Sequence, residues 1–180
     1  MISKKLKAII DILIDNDEEQ TPDVLNQNKI KGDMFERYVI DLFNKKYFTV
    51  ENWTRDIDKN TTGVRVTSNQ YPDLTLCYKR KESFAVECKW RKGFFRSERW
   101  EGAVLQWSYP DQIKRYQKFE ADKGIPVFIV IGVGGEPDDP ERMYCLPLSE
   151  ATYPELFPSY LRNYERDPKK PFFWDGDDLF

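Results

Sequence analysis

Alternating apolar and polar positions predict two successive β-strands within Tyr71–Lys92. Apolar side chains recur at every second position in each half of this stretch, as expected of strands with one face in a core. They are Leu74, Leu76 and Tyr78 in the first half, and Phe84, Val86, Cys88 and Trp90 in the second. The charged segment Lys79–Glu82 separates the halves, so the pattern predicts a β-hairpin.

Helical spacing of apolar residues predicts three helices. The first covers Leu6–Ile14, the second runs from about Gly32 to Tyr47, and the third begins near Ser108 and ends at Gly124. The buried stripe of the second helix is predicted to contain Met34, Phe35, Tyr38, Val39, Leu42 and Phe43. Ser108 and Asp111 resemble a capping box. The segment TPDVLNQNK, before the second helix, is predicted to be a loop or short turn.

The remaining segments complete a mixed α/β pattern. Strands are predicted at Phe48–Arg55, Ile125–Val133 and Met143–Leu148, a polar loop at Asp56–Gln70, and broken helical pieces at Ser149–Arg166. Pro147 favours a sheet edge or strand end. This order predicts one domain, an α/β/α sandwich of three layers around a mixed sheet. We expect an N-terminal helical appendage (residues 1–25), a core (31–148) and a C-terminal extension (149–180) with the aromatic, acidic tail PFFWDGDDLF, suited to cover a sheet edge or contact a partner.

Composition narrows the possible chemistry. The 180 residues include no histidine, which excludes Ser-His-Asp and Cys-His triads and histidine-ligated metal sites. The three cysteines, Cys77, Cys88 and Cys145, lie in apolar runs without CxxC spacing and are expected to be reduced core residues of a cytoplasmic protein. No apolar run approaches the roughly 18 residues of a membrane span. The net charge of −3 argues mildly against a nucleic-acid partner, although local clusters can outweigh that average.

Three ionisable residues of the predicted hairpin form a candidate catalytic group. Glu87 and Lys89 lie two positions apart and therefore emerge on one face, roughly 7 Å apart. Asp73 joins that face only if the connecting loop has an odd number of residues or a bulge corrects the register. The catalytic interpretation therefore requires a three- or five-residue loop, or such a bulge, because a two-residue turn would point Asp73 into the opposite layer.

Asp73 and Glu87 on adjacent strands are suited to share a hard divalent cation. The backbone carbonyl of Cys88 would add a further oxygen ligand, and Mg²⁺, with Mn²⁺ as a substitute, needs few protein ligands. A metal-bound water is a better nucleophile, and Lys89 can orient it or neutralise charge on a phosphate. The group fits hydrolysis of a phosphodiester, although a short PD…ExK pattern is weakly specific.

A basic segment follows the hairpin. Between Lys89 and Arg99, the cations Arg91, Lys92, Arg96 and Arg99 accompany Lys89, against one acid, Glu98. The aromatic residues Trp90, Phe94, Phe95 and Trp100 are interleaved with them. This mixture suits a nucleic-acid backbone with stacked bases, and equally suits a solvated loop whose aromatic residues enter the core.

Two further elements carry candidate residues. Glu36 borders the apolar stripe of the second helix, where periodicity alone favours an ordinary first-turn glutamate over an active-site carboxylate. Gln112 and Tyr116 share one face of the third helix at spacing i, i+4.

The chain resembles the PD-(D/E)xK, or restriction-endonuclease-like, nuclease superfamily. The resemblance rests on Pro72-Asp73, Glu87-Cys88-Lys89, the upstream GDMFERYVIDLF and the downstream QIKRY, and it covers residues 31–148 in element order. It implies a restriction-endonuclease-like core and Mg²⁺-dependent cleavage that leaves a 5′-phosphate. It further implies that Glu36 belongs to the active site as a catalytic and metal-binding carboxylate, and that Gln112 and Tyr116 assist phosphate or metal positioning.

The resemblance leaves the substrate open, because one fold serves several activities. We expect a DNA endonuclease in defence, repair or mobile-element biology. The alternatives are an RNA-directed nuclease and a non-catalytic nucleic-acid-binding or assembly module. A homodimer is plausible because two symmetric sites cut both strands of a duplex, and the apolar stripe of the first helix is the candidate interface.

Overall fold

The computed structural model describes residues 22–54, 71–97 and 99–180. By its backbone contacts the chain divides into two units, Met1–Lys31 and Gly32–Phe180. The predicted helix over Leu6–Ile14, with its proposed dimer interface, and the predicted loop Asp56–Gln70 lie outside the described residues.

Helices and two sheets make up the described part of the chain. The helices are α1 (Pro22–Asp41), α2 (Pro110–Lys123) and α3 (Pro158–Leu161), with 3₁₀ turns at Leu148–Glu150 and Arg162–Tyr164. The strands of the main sheet are β1 (Phe48–Trp53), β2 (Leu74–Tyr78), β3 (Glu82–Arg91), β6 (Val127–Val133), β7 (Arg142–Pro147) and β9 (Glu165–Arg166). A smaller sheet contains β4 (Phe95–Arg96), β5 (Ala103–Gln106) and β8 (Glu155–Leu156).

The main sheet is mixed and has the order β1-β2-β3-β6-β7-β9. Only β3 and β6 pair in parallel among its strands, and the chain between them contains α2, which makes the crossover that a parallel pair requires. Every residue of β6 is buried, as its uninterrupted apolar sequence predicts for a central strand.

Two hydrophobic clusters lie on opposite faces of this sheet and create the three layers. On one face, Phe35 and Val39 of α1 join the cluster that contains Phe84 and Val86 of β3. On the other face, α2 contributes Ile113, Tyr116 and Phe119 to a cluster with Ala85 and Ile129. Alternate residues of β3 therefore enter different layers, and the predicted α/β/α sandwich is confirmed.

Close packing of α1 against β6 depends on Gly132. A Cβ atom at this position would lie 2.5 Å from the ring of Phe35, closer than side-chain carbons approach each other. Any larger residue would force Phe35 away from the sheet. The glycine thus fixes how near the helix that carries Glu36 approaches the strands.

The hairpin between β2 and β3 has the odd loop that the catalytic interpretation requires. Tyr78 pairs with Glu82 and Leu74 pairs with Val86, which leaves the three residues Lys79, Arg80 and Lys81 in the loop. The register therefore places Asp73 beside Glu87 and Lys89, and the odd number of loop residues required by the prediction is confirmed.

Several local predictions need correction. Residues 22–29, predicted as a loop or short turn, are helical: α1 begins at Pro22, a residue that the first turn of a helix tolerates. The capping box is wrong, since the residue before α2 is Tyr109 without a side-chain cap, and Ser108 instead donates to Gln112 Oε1 at 2.7 Å. The C-terminal stop is correct, because Gly124 adopts φ 66°, a left-handed conformation.

The C-terminal tail covers a face of the main sheet. Phe172, Trp174 and Leu179 are buried in the same cluster as Phe84 and Phe128. Cys77, Cys88 and Cys145 are buried free thiols, as predicted. Within the described residues, no helix is long and apolar enough to cross a membrane.

Candidate active site

Asp73 and β3 meet through a direct hydrogen bond. The backbone N–H of Cys88 donates to Asp73 Oδ2 at 2.8 Å, which ties the carboxylate to the strand between Glu87 and Lys89. The bond follows from the register, since Asp73 immediately precedes Leu74, the partner of Val86. The three residues of the PD…ExK pattern are thus brought together.

Glu87 and Lys89 form a buried ion pair. Glu87 Oε1 contacts Lys89 Nζ, and the two side chains are 1% and 17% exposed. The second oxygen, Glu87 Oε2, is buried without a hydrogen-bond partner in the described structure. A buried carboxylate oxygen without a donor or cation is unfavourable, so this atom marks a position where a ligand would stabilise the protein.

A cavity of about 290 Å³ gathers the predicted catalytic residues. Its walls include Asp73, Glu87, Lys89, Glu36, Gln112 and Tyr116. Helix α1 supplies Glu36 from one layer and α2 supplies Gln112 and Tyr116 from the other. All six candidates therefore face one space.

The environment of Glu36 changes its acidity. Trp53 Nε1–H donates to Glu36 Oε2 at 2.8 Å, which favours the charged form. Burial acts more strongly in the opposite direction, and the charges of Asp33 and Glu87 add to it, so the pKa of Glu36 is raised to about 7. Glu36 can therefore gain or lose a proton near neutral pH.

The other ionisable groups of the cavity also shift. Burial, followed by the charge of Glu87, raises the pKa of Asp73 well above its ordinary value. Burial opposes the charged form of Lys89, but Glu87 and Asp73 outweigh it and raise the Lys89 pKa. Burial, then Glu87 and Asp73, raises the pKa of Tyr116, which keeps its hydroxyl proton. Lys89 is therefore a cation and Tyr116 a hydrogen-bond donor.

The oxygen atoms of the cavity are suited to a hard cation that needs few protein ligands. Glu36, Asp73 and Glu87 offer carboxylate oxygens, and Glu87 Oε2 makes no hydrogen bond within the described residues. Burial, followed by the nearby carboxylates, raises the pKa of the Cys88 thiol well above its usual value, which leaves the sulfur protonated and a poor ligand. No cluster of three or more metal-binding side chains is assembled among the described residues. This arrangement suits Mg²⁺, which retains several waters.

One cation of the cavity, Arg115, was not predicted from the sequence. It lies between Gln112 and Tyr116 on α2 and lines the same walls, together with Asp33, Thr54 and Tyr71. Its Nε atom is buried and has no hydrogen-bond partner in the described structure. The spacing of Arg115, three residues after Gln112, was a usable signal for a shared helix face.

The predicted nucleic-acid-binding residues differ in their exposure and in their contacts. Arg91 points its guanidinium at three backbone carbonyls, those of Trp90 (2.9 Å), Gln106 (2.7 Å) and Trp107 (2.7 Å). These bonds join β3 to the smaller sheet and use most of the N–H donors of Arg91. Lys92, Arg96 and Arg99 are exposed. Of the interleaved aromatic residues, Phe95 and Trp100 are exposed at 43% and 47%, whereas Phe94 packs against the α2-side core.

Comparison of structures relates this fold to a known one. The sequence matches no protein-family profile. No curated protein sequence gives a significant match. The structure resembles that of Hjc, a Holliday junction resolvase from the archaeal hyperthermophile Archaeoglobus fulgidus, with a TM-score of 0.51 and 15% sequence identity over 73% of this chain and 93% of the resolvase. At this identity the likeness concerns the fold. The chain therefore has the restriction-endonuclease-like fold that its sequence pattern predicts.

Proposed function

We propose that this chain is a metal-dependent nuclease that hydrolyses phosphodiester bonds of DNA. One observation carries the proposal: on a nuclease fold, Asp73, Glu87 and Lys89 converge in a polar cavity that Glu36, Gln112 and Tyr116 also line. The resolvase with the similar fold processes Holliday junctions, which favours DNA, and branched DNA in particular, among the substrates to be tested.

Asp73, Glu87 and the carbonyl of Cys88 would hold Mg²⁺, with Glu36 nearby. The bound ion would polarise a phosphate and acidify a water molecule. This role uses Glu87 Oε2, which has no hydrogen-bond partner among the described residues.

The chain's own residues bind and orient the phosphate. Lys89, held as a cation by Glu87, and Arg115 place two positive charges at the cavity wall, where they offset negative charge on a phosphodiester. Tyr116 and Gln112 donate hydrogen bonds that fix the orientation of the phosphate. Glu36, with its pKa of about 7, is suited to accept or return a proton.

The test compares cleavage of plasmid, linear duplex, single-stranded and four-way-junction DNA, and of RNA, with Mg²⁺ or Mn²⁺. We expect Asp73→Ala and Lys89→Met to lower the rate by about a hundredfold or more, since each removes a group from the reaction centre. Asp111→Ala and Lys118→Met, at exposed positions of α2, are matched controls that should cleave like the wild type. Unchanged cleavage by both cavity variants would refute the assignment.

Metal binding separates this proposal from a non-catalytic module. Calorimetry with Mn²⁺ should detect binding at millimolar or lower concentration, and Glu87→Gln should abolish it. If the wild type binds no metal and cuts none of the substrates, the fold serves binding alone. Light scattering of the intact protein measures its oligomeric state and so decides between a monomer with one cavity and a dimer with two.

A further inference from the structure

The β2–β3 turn contains backbone conformations that its residues rarely adopt. Lys79 and Arg80 have φ values of 47° and 59°, and they are the only non-glycine residues with positive φ in the described part of the chain. The N–H of Lys81 donates to the carbonyl of Tyr78 at 3.0 Å, which closes a tight turn around them. Such turns favour Asn-Gly, because glycine and asparagine tolerate the left-handed region. Two long cationic side chains thus occupy positions where the backbone favours other residues.

The same turn lies in a cluster of positive charge. Its three residues are exposed cations, and the loop before β1 adds Lys45 and Lys46, which are also exposed. The two loops are joined, because the N–H of Lys79 donates to the carbonyl of Tyr47 at 2.7 Å. We call the five residues Lys45, Lys46, Lys79, Arg80 and Lys81 the basic end. In a chain with a net charge of −3, this is a marked concentration of positive charge.

Aromatic rings support the cations of the basic end. Lys79 Nζ lies 4.7 Å from the ring centroid of Tyr78 and 5.7 Å from that of Tyr47. Lys46 Nζ lies 5.3 Å from the Tyr47 ring. Cation–π contacts of this kind restrict the side chains without neutralising their charge.

No acidic side chain forms an ion pair with the basic end in the described structure. Glu82, the first residue of β3, accepts a hydrogen bond from Trp174 Nε1. Glu51 on β1 accepts one from the Ser83 hydroxyl at 3.2 Å. The five cations are exposed and therefore available to contact an anion from outside.

The basic end lies at the opposite end of β2 from the cavity. Asp73 precedes this strand and the turn follows Tyr78, so the two sites are about 17 Å apart along five strand residues. At 3.4 Å per nucleotide step, this corresponds to about five nucleotides of a duplex strand. A DNA arm whose scissile phosphate lies in the cavity can therefore reach the basic end with its backbone.

We propose that the basic end is a second DNA-contacting site, which holds the phosphate backbone of an arm extending from the cavity. This proposal rests on the proposed nuclease function and adds a binding surface to it. The unfavourable turn conformation supports it, since uncommon backbone conformations cluster at binding and active sites. It predicts that affinity for long or branched DNA depends on residues far from the cavity.

The decisive variant is Lys79→Asn with Arg80→Gly, which removes two charges and installs the residues that the turn prefers. If the two cations matter only for folding, the variant binds DNA like the wild type. If they bind phosphates, affinity for a labelled four-way junction or long duplex falls about tenfold near 0.1 M salt, and the slope of log K against log salt decreases by nearly two. The melting temperature should stay equal or rise.

Two further variants complete the experiment. Lys45→Gln with Lys46→Gln should reproduce the loss of affinity without touching the turn. Lys118→Gln with Lys169→Gln removes two exposed lysines that pair with Asp122 and Asp139, and should bind like the wild type. Binding is measured by fluorescence anisotropy in EDTA, where no cleavage occurs. At saturating substrate with Mg²⁺, both basic-end variants should keep the wild-type rate and show a raised KM.

The outcomes separate the two proposals. Wild-type affinity and salt slope in both basic-end variants would overturn the second DNA site and leave the nuclease proposal intact. A selective loss of affinity in those variants, with no cleavage by the wild type, would support the site and refute the nuclease. If the wild type binds none of the DNA probes, both proposals fail.

Discussion

At the scale of single residues, the cavity brings together carboxyl groups whose negative charges repel one another. Glu36, Asp73 and Glu87 line one space, and Lys89 pairs directly with only one of them. The pKa of Glu36 is raised to about 7 and that of Asp73 is also raised, so the folded protein holds protons that these carboxyls would release when unfolded. Shifted pKa values of this kind cluster at functional sites.

A pH dependence of stability follows from these shifts. An acid whose pKa is higher in the folded state contributes stability below its unfolded pKa, and this contribution is lost as the pH rises through the folded pKa. In EDTA, we expect the wild-type melting temperature to fall between about pH 5 and about pH 8 relative to that of Glu36→Gln. The exposed Glu101→Gln should follow the wild type. Parallel curves for wild type and Glu36→Gln would contradict the raised pKa.

At the scale of elements, the β2–β3 hairpin shows what the sequence determines. Strand alternation alone did not determine the number of loop residues. In the structure the loop has three residues, Lys79 to Lys81. The grouping of Asp73, Glu87 and Lys89 was predictable because it depends on local periodicity. The positive φ values at Lys79 and Arg80 were not, since Asn-Gly is the recognised signal for such a turn.

Helix boundaries and cation roles were less predictable for physical reasons. Residues 22–29 include many polar, turn-forming types, and yet they belong to α1, whose later turns carry buried apolar residues such as Phe35. Arg91 looks in sequence like the neighbouring DNA-binding candidates. Its partners, the carbonyls of Gln106 and Trp107, become adjacent only in the folded chain.

The role of Arg91 as a connector can be tested by its removal. Arg91→Ala leaves the carbonyls of Gln106 and Trp107 without these donors, and hydrogen bonds from a charged group contribute about 1.5–3 kcal/mol each. We expect urea denaturation to show a loss of about 2–4 kcal/mol in the free energy of unfolding. The exposed Arg96→Ala on β4 should change it by less than about 0.5 kcal/mol. Similar losses in both variants would show that Arg91 has no special connecting role.

At the scale of the whole molecule, the tail completes the core layer that also holds α1. Phe172 stacks on Phe43 with ring centroids 4.5 Å apart, and Trp174 stacks on Phe84 at 4.8 Å. The sequence indicated an aromatic tail that would cover an edge or bind a partner, but its packing on a sheet face depends on contacts between residues far apart in the chain. The C-terminal extension is therefore part of the structural support for the strand that carries Glu87.

Trp174 is the residue through which this support is best measured. It is 3% exposed, stacks on Phe84, contacts Phe128 edge to face at 5.8 Å, and donates its indole N–H to Glu82. Trp174→Ala should lower the free energy of unfolding by about 3–5 kcal/mol, as expected when a buried aromatic side chain is removed. Its neighbour Phe173 is 61% exposed, and Phe173→Ala should cost less than about 1 kcal/mol. Because Phe84 and Glu87 share β3, the tryptophan variant should also lose Mn²⁺ affinity near its unfolding transition. A tryptophan variant as stable as the phenylalanine variant would show that the tail is dispensable for the sheet.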